Sequence, residues 1–466
     1  MSDYIKLFQS HVQYNAYINS ENAILPNVSY CENNNEVHYN PFDFSKQYLT
    51  TVASESGTIS FNIWYSIGTD LITSISYSTD NGETWTTTNN QNNKSENLQI
   101  TVNVNAGDKV LWKGTAQQTG YYDEEDMGDY VGSFFSSDCE FDVQGNVMSL
   151  CYGDNFIGQT TLNYEGQFAC LFYDYYGNLE CNVVNAKDLS LPATTLADYC
   201  YSNMFYGCTS LTTAPVLPAI TLADSCYVFM FGSCTSLTSA PVLPATTLAS
   251  SCYCNMFDGT NVLPDCSHID FTSQTVVASG GLSGLFAGTN VTDNDLNSIL
   301  PKNPNTNKYW LPVTTLANGC YRYMFTGCTS LTTAPELPAT TLADECYRSM
   351  FNGCTSLTTA PSVLPATTLT QYCYVTMFNG CTSLTTAPVL PATTLTDYCY
   401  DSLFYGCSSL NYIKAMFTTT PISTYTQNWV SDVAATGTFV KNSAATWNVT
   451  GTSGIPSGWT VQTASE

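Results

Sequence analysis

Charged side chains are scarce in this sequence, and cations are the scarcest of them. Only 11% of the 466 residues are charged, and 12 Lys+Arg stand against 38 Asp+Glu, for a net charge of −26. Ordinary globular proteins carry about 25% charged residues. Because nucleic acids and anionic membranes are bound through cations, we expect neither as a partner. Thr, Ser, Asn and Tyr must supply the polar surface, which suits exposure outside a cell and contact with sugars.

Segments for export and anchoring are also lacking. Residues 1–8 show no charged region followed by an apolar one, as a secretory signal would, and no run of about 18 apolar residues could span a bilayer. A surface-like composition without an export signal predicts a protein that is assembled in a host cytoplasm and released by lysis, as a virion protein is.

Catalytic motifs are equally sparse. None of the three histidines, His11, His38 and His268, lies in a nucleophile motif, and there is no Gly-x-Ser-x-Gly sequence and no phosphate-binding loop. Paired carboxylates for glycoside cleavage stay open at this stage. We predict a non-enzymatic protein without a cofactor.

What the sequence has in abundance is an internal repeat. The block Leu-Pro-Ala/Val-Thr/Ile-Thr-Leu recurs every 26 or 27 residues, apart from one interval of 68 that hides a degenerate unit. This period lies inside the window of about 20–29 residues typical of leucine-rich repeats. The seven copies begin at Leu191, Leu217, Leu243, Leu311, Leu337, Leu364 and Leu390.

A single repeat predicts a strand followed by a short helix. Residues 209–214 are rich in β-branched side chains and predict a strand, and Gly207 stands where a helix stop is expected. Stacking of such units predicts an α/β leucine-rich repeat solenoid over residues 151–410. The apolar residues that recur at every fourth position, as on one face of a helix, are Leu196, Cys200, Met204 and Cys208.

Three segments outside the repeats complete the expected organisation. Residues 1–45 are irregular and predict an N-terminal anchoring arm. Residues 46–150 alternate apolar and polar side chains and predict a small all-β sandwich. Residues 411–466 are rich in Thr, Ser and Gly and predict a β-rich C-terminal cap over the open end of the solenoid.

Cysteine is abundant, at 20 residues, and the even number allows disulfides. Thirteen of the 20, however, occupy two fixed positions in the repeat. Unoxidised cysteine behaves as a small buried hydrophobe. We therefore expect mostly buried free thiols, with some disulfides as the alternative.

The unit Met-Phe-x-Gly-Cys-Thr-Ser-Leu stands at 350–357 and again at 377–384. Over about residues 165–412 the repeats resemble the BspA-type leucine-rich repeats of surface proteins from gut Bacteroides and related bacteria. The resemblance implies adhesion or display without chemistry. Shorter segments are similar to fibre-like proteins in phages of Bacteroides, including crAss-like phages, whose fibres are commonly trimeric; these segments lie at 24–31, 36–41, 428–431 and 454–459.

One short motif has a possible link to enzymes. Ser78-x-Asp80-x-Gly82-x-x-Trp85 fits the Asp-box pattern seen in sialidase propellers. A single copy does not make a propeller. The structural interpretation is a hairpin turn in which Asp80 accepts hydrogen bonds from turn amides and Gly82 takes a positive φ.

Two clusters contain potential metal ligands, but we assign no catalytic, cofactor or metal site. A Cys-x-Cys-x11-Cys-x-His set offers four zinc ligands with unusual spacing: Cys252, Cys254, Cys266 and His268. An acidic run at 123–129 offers oxygens for calcium, and a solvated acidic loop is the simpler interpretation; it contains Asp123, Glu124, Glu125, Asp126 and Asp129.

Tyrosines recur at one position of the repeat, and two roles are open for them: packing between repeats and contact with glycans. They are Tyr201, Tyr253, Tyr321, Tyr347, Tyr374 and Tyr400.

These features predict a structural protein on the virion surface, as a head fibre or capsid decoration. The arm would join other virion proteins of the capsid or tail, the chain would form a homo-oligomer such as a trimer, and the repeats would adhere to host or mucus glycans. Three alternatives stay open: a phage tail fibre or receptor-binding protein, a bacterial cell-surface adhesin, and a tail-spike depolymerase. An upstream signal peptide would favour the adhesin, and activity on capsular polysaccharide the depolymerase.

Overall fold

The computed structural model describes residues 28–31, 36–39, 43–63, 74–89, 98–115, 119–123, 129–245, 247–260 and 276–464. Strands account for 23% of the chain and helices for 5%. The expected α/β fold class, with a leucine-rich repeat solenoid over residues 151–410, is therefore wrong. Most of the expected N-terminal arm lies outside the described residues.

The strands follow one another in short segments along the chain. They are β1 (Val28–Cys31), β2 (Glu36–Tyr39), β3 (Leu49–Ala53), β4 (Gly57–Ile63), β5 (Ser74–Ser78), β6 (Thr86–Asn89), β7 (Leu98–Val104), β8 (Lys109–Gly114), β9 (Gly120–Asp123), β10 (Asp129–Gly132), β11 (Phe134–Ser137), β12 (Phe141–Asn146), β13 (Val183–Ser190), β14 (Val276–Val277), β15 (Thr315–Leu316), β16 (Tyr412–Ala415), β17 (Thr438–Lys441) and β18 (Thr460–Thr463).

Helices in the described part of the chain are short. The α-helices are α1 (Ser149–Tyr152), α2 (Asp293–Ile299) and α3 (Ser423–Thr426), and 3-10 turns lie at Phe44–Lys46 and Gly153–Asn155. Helix α2 begins with a capping box, in which Thr292 and Asp295 exchange side-chain and backbone hydrogen bonds. None of these helices has the length and apolar character that crossing a membrane requires.

Two sheets built from strands between residues 49 and 190 share an aromatic core. One sheet has the strand order β13-β12-β3-β8-β5-β6, and the other has the order β11-β4-β7. Fully buried Phe61 and Phe135, from the second sheet, lie 6.2 Å and 5.3 Å from the ring of Trp112 in the first. The alternating apolar pattern explains this packing, because it gives each strand one buried face.

The six-stranded sheet continues directly into the repeats. Strand β13 pairs in parallel with β12, and Asn185 on β13 forms a parallel bridge with Thr213 in the following repeat. Thr213 in turn bridges to Ser239, 26 residues further on. The sheet therefore closes the first end of the stack of repeats and satisfies an edge that would otherwise be open.

Residues of the expected C-terminal cap close the other end of the stack. Tyr412, at the start of β16, bridges to Thr386 of the last repeat, and β16, β17 and β18 form a parallel sheet. Trp429 is fully buried against Tyr400, with ring centroids 6.2 Å apart. Its indole Nε1 donates a hydrogen bond of 2.8 Å to the Gly454 carbonyl, so the terminal residues are held on the stack.

Each repeat forms one coil, and the part expected to be helical is a series of turns. A positive φ recurs at every fourth residue, with 56° at Tyr199, 55° at Asn203 and 70° at Gly207. An α-helix cannot contain such residues, because its φ is about −63° throughout. Turns that repeat every four residues place i, i+4 and i+8 on the same side, as a helix does. The spacing of the apolar residues therefore predicted the buried face correctly, but the helix predicted from it is wrong.

Alternate backbone amides hold each coil together and join it to the next. Ser202 donates within its coil to the Tyr199 carbonyl at 3.0 Å. The neighbouring Tyr201 donates to the Cys226 carbonyl of the following coil, also at 3.0 Å. Every second amide thus bonds to a neighbouring repeat, which a helix with i→i−4 bonds could not offer. The turns therefore form about half of their backbone hydrogen bonds only when the repeats are stacked.

Columns of like side chains fill the interior of the stack. Tyr347 and Tyr374 are parallel with ring centroids 5.8 Å apart, and Phe351 and Phe378 lie 5.5 Å apart. Cysteines form two further columns, and the Cys354 thiol donates to the Phe325 carbonyl of the preceding coil at 3.0 Å. Cysteine suits this place because it is small and apolar and still donates a weak hydrogen bond.

One coil holds an extra residue without disturbing its neighbours. The interval from Leu337 to Leu364 is 27 residues, and the segment ahead of Leu364 includes exposed Ser362. Bridges on both sides stay in register: Thr333 pairs with Thr359 and Val363 with Val389. The insertion is therefore confined to a corner of the coil between Pro361 and Leu364.

Candidate binding groove

The stack carries a groove where two glycines interrupt a column of side chains. The column occupies the first positive-φ position of each coil, where each amide donates to a carbonyl of the next coil. Gly280 and Gly319 have no side chain there, whereas the flanking coils carry Ser251 and Glu345. We call this column the first-turn column; its members are Gly166 at the first end of the stack, then Tyr199, Ser225, Ser251, Gly280, Gly319, Glu345, Tyr372 and Tyr398.

The space beside these glycines, called here the polar groove, has a volume of about 390 Å³. This volume lies at the lower end of the range of about 300–1,000 Å³ typical of ligand sites. Its lining is mainly polar, unlike that of most drug-sized pockets. Polar side chains in the lining include Ser283, Asn318, Arg322, Asp344, Gln371 and Tyr372.

An ionic fork lies at one wall of the polar groove. Glu345 accepts from the Nη1 of Arg322 at 2.7 Å and lies 3.4 Å from the Nη1 of Arg348. The Arg322 guanidinium also lies 5.1 Å from the Tyr323 ring centroid. All three charged side chains keep 29–39% of their surface exposed, so the ion pairs add little stability. Their main effect is to fix the orientation of Arg322 beside the groove.

An aromatic ring closes one end of the polar groove. Tyr372 lines the groove and stacks on Tyr398, with ring centroids 5.0 Å apart and planes 7° apart. Because Tyr398 covers one face of the ring, the other face of Tyr372 is directed along the column towards Glu345, which also lines the groove and beyond which the two glycines lie. The site therefore combines a flat apolar surface with donors and acceptors.

The recurrent tyrosines pack between coils and do not line a surface. Tyr201, Tyr253, Tyr321, Tyr347, Tyr374 and Tyr400 are at most 1% exposed. Burial raises the pKa of Tyr347 well above 10.0. Of the two open roles, packing is therefore the correct one. Tyr372 and Tyr398, which are half-buried and belong to the first-turn column, were missed, although aligning the repeats reveals the two glycines in that column.

The Asp-box motif forms a hairpin turn, as its structural interpretation predicts. Asp80 accepts from the Thr84 amide at 2.9 Å and from the Ser78 hydroxyl at 2.7 Å, and Gly82 has a φ of 89°. The hydrogen bonds from Ser78 and then Thr84 lower the pKa of Asp80 to about 2. Trp85 donates its indole N–H to the Gly82 carbonyl at 3.2 Å, so every member of the motif supports the turn.

The two potential metal clusters are described only in part. Cys252 is fully buried in a cysteine column, whereas Cys266 and His268 lie outside the described residues. Strands β9 and β10 pair Asp123 with Asp129, and residues 124–128 between them are likewise outside. Within the described ranges, no group of three or more His, Cys, Asp or Glu side chains could hold a metal ion.

The fold and the polar groove define a β-rich protein of stacked coils, with a small polar site on the side formed by the four-residue turns. No family model, no curated protein and no solved structure matches the chain.

Proposed function

We propose that this chain is a non-enzymatic structural protein displayed on the surface of a phage virion, as a head fibre or capsid decoration that adheres to host or mucus glycans. The observation that carries the proposal is the in-register stack of coils, closed at both ends by sheets. Each coil advances the stack by about 4.8 Å, the spacing of paired strands. Such a stack is a stiff spacer whose surface repeats at short, regular intervals.

Uncharged hydroxyl groups dominate one corner of this surface and support the adhesive part of the proposal. Pairs of threonines recur there in successive coils, and hydroxyls both donate and accept hydrogen bonds, as sugars do. Without charge, such contacts are individually weak and become useful through repetition. The exposed pairs include Thr194 and Thr195, Thr314 and Thr315, Thr340 and Thr341, Thr367 and Thr368, and Thr393 and Thr394.

Attachment to the virion is assigned to the N-terminal arm, and assembly to a homo-oligomer such as a trimer. The arm is proposed because residues 1–45 lack the repeat and are irregular in sequence, and the trimer rests on the resemblance to phage fibre-like proteins. The described contacts indicate where the arm can be removed: the Asn146 side-chain amide donates to the Ser45 carbonyl at 2.8 Å, and the Asn146 backbone amide donates to Gln47. A truncation that begins at Asp43 keeps both bonds and should leave the first sheet intact.

Immunogold labelling of purified particles tests the proposal, with full-length chain and the chain from Asp43 compared in an assembly assay. We expect label on the capsid, and we expect the truncated protein to be folded but absent from particles. Label on the tail would favour the tail-fibre alternative. Label on bacterial cells alone would favour the adhesin and refute a virion role, and cleavage of capsular polysaccharide would refute a non-enzymatic one.

A further inference from the structure

We infer that the polar groove binds a neutral saccharide, with one sugar ring held against Tyr372. The inference deepens the proposed adhesion to glycans and rests on it. It assigns the contact to a defined site, whose residues Asn318, Asp344 and Gln371 each follow a threonine pair by three residues in the same coil.

Hydrogen-bonding capacity in the polar groove matches a polyol. Arg322 supplies several N–H donors in a fixed plane, Asp344 supplies carboxylate acceptors, and Asn318 supplies both. Each hydroxyl of a sugar can likewise both donate and accept a hydrogen bond. An apolar ligand would leave these groups without partners on burial, which costs free energy for each group. The lining therefore selects against apolar ligands.

Electrostatics favour an uncharged sugar over an acidic one. The lining holds one guanidinium group, Arg322, and two carboxylates, Asp344 and Glu345, so its formal charge is −1, and Arg322 is already paired with Glu345. The remainder of the chain is strongly negative, with a net charge of −26 over the whole protein. A sialic or uronic acid would meet that repulsion without a free cation to offset it.

The first-turn column itself provides a substitution that fills the groove. Gly319 has a φ of 58°, and no atom lies within 4 Å of the position that a Cβ would occupy. Tyrosine already occurs in this column with φ values of 56° at Tyr199 and 57° at Tyr372. Gly319→Tyr should therefore fold while occupying the space proposed for the sugar.

A matched control places the same side chain elsewhere. Gly207 also has a positive φ, 70°, and no atom within 4 Å of its Cβ position, but it does not line the groove. Gly207→Tyr thus introduces equal bulk and a similar backbone demand away from the site. Asn318→Ala provides a second groove variant on an exposed residue, in case Gly319→Tyr does not fold by circular dichroism.

Binding is measured with full-length protein against immobilised neutral oligosaccharides ending in glucose, galactose, mannose or N-acetylglucosamine, and against sialic and glucuronic acid counterparts. We expect at least one neutral ligand to bind, with affinity reduced at least about tenfold, or about 1.4 kcal/mol, by Gly319→Tyr. Asn318→Ala should weaken binding as well. Gly207→Tyr should stay within about twofold, as surface substitutions usually do.

Three results would overturn the inference: no binding of any neutral ligand, binding of acidic sugars alone, or equal binding by wild type and the groove variants. Equal binding would still leave the proposed adhesion in place through another surface. The virion role is judged separately, because Gly319→Tyr should join particles normally. Failure of wild type to join particles would count against the proposed function and not against the groove.

Discussion

At the scale of single residues, neighbouring positions in a coil have opposite environments. Leu357 is fully buried, whereas Thr358 is exposed and donates from its hydroxyl to the Thr332 carbonyl at 3.2 Å. We expect Leu357→Ala to lower the free energy of unfolding by about 2–5 kcal/mol through lost burial and a cavity. Thr358→Ala should cost under about 0.5 kcal/mol. Urea denaturation of both variants checks the difference, and similar losses would contradict the assigned burial.

Leu357→Ala should also act locally. Each coil contacts mainly the coils before and after it, so hydrogen exchange should increase in the adjacent repeats. The sheets built by β3–β8 should remain protected. Loss of protection throughout the chain would show instead that the shared core couples sheets and coils into one cooperative unit.

The Asp-box turn should respond to acid. Asp80 has its pKa lowered from 3.8 to about 2 by hydrogen bonds from Ser78 and Thr84. A carboxylate with a lowered pKa in the folded state stabilises it above the unfolded pKa, and that contribution is lost as pH falls through the folded value. We therefore expect the turn to loosen between about pH 4 and pH 2.

An NMR titration of the Asp80 side chain measures this directly, with exchange of the Thr84 amide as a second signal. The carboxyl should titrate well below the 3.8 of a free aspartate. Ser78→Ala removes the largest cause of the shift and should move the midpoint upwards. A wild-type midpoint near 3.8 would refute the hydrogen-bonded turn.

At the scale of the element, a glycine substitution distinguishes a turn from a helix, because it changes stability in opposite directions in the two. Ser225 has a φ of 54° and belongs to the first-turn column, in which three other coils carry glycine. In a left-handed position glycine relieves about 1–2 kcal/mol of strain. In a helix interior glycine costs roughly 0.5–1 kcal/mol relative to alanine. We expect Ser225→Gly to equal or exceed the wild type in stability and Ser225→Val to fall below it.

Thermal or urea denaturation of these two variants gives the order. If the segment were a helix, Ser225→Gly would be less stable than both the wild type and Ser225→Val, because a helix tolerates valine better than glycine. That order would restore the helical interpretation of the repeat.

The sequence predicts the period of the repeat and its buried leucines, because burial alone sets that pattern. It does not predict the element, because Leu196, Cys200, Met204 and Cys208 satisfy a helix and a four-residue turn equally well. The deciding interactions are hydrogen bonds between coils, such as Phe205 to Met230 at 2.9 Å, and these have no signature within one repeat. The polar groove depends on residues from several coils and on two absent side chains, so no local motif predicts it.

At the scale of the whole molecule, the column of fully buried tyrosines should make the folded state lose stability at alkaline pH. Burial raises the pKa of these phenols well above 10.0, while the unfolded chain releases their protons near that value. The folded state retains the protons, so its stability is complete below about pH 10 and falls as pH rises beyond it. The affected residues are Tyr201, Tyr227, Tyr321, Tyr347, Tyr374 and Tyr400.

Tyrosinate absorbance followed together with circular dichroism tests this. The exposed tyrosines should ionise first, and the buried group should ionise only in step with loss of structure. Full ionisation of all tyrosines in a protein that keeps its native spectrum would contradict the closed interior.

The corner that absorbs one extra residue between Pro361 and Leu364 has a consequence for how such chains change over generations. Since neighbouring coils keep their bridges around the insertion, small slips during copying are tolerated. Near-identical units also invite unequal recombination, which would add or remove whole coils. Each event would lengthen or shorten the stack by about 4.8 Å while leaving both closing sheets unchanged, so a lineage can adjust the length of the stack by changing copy number alone.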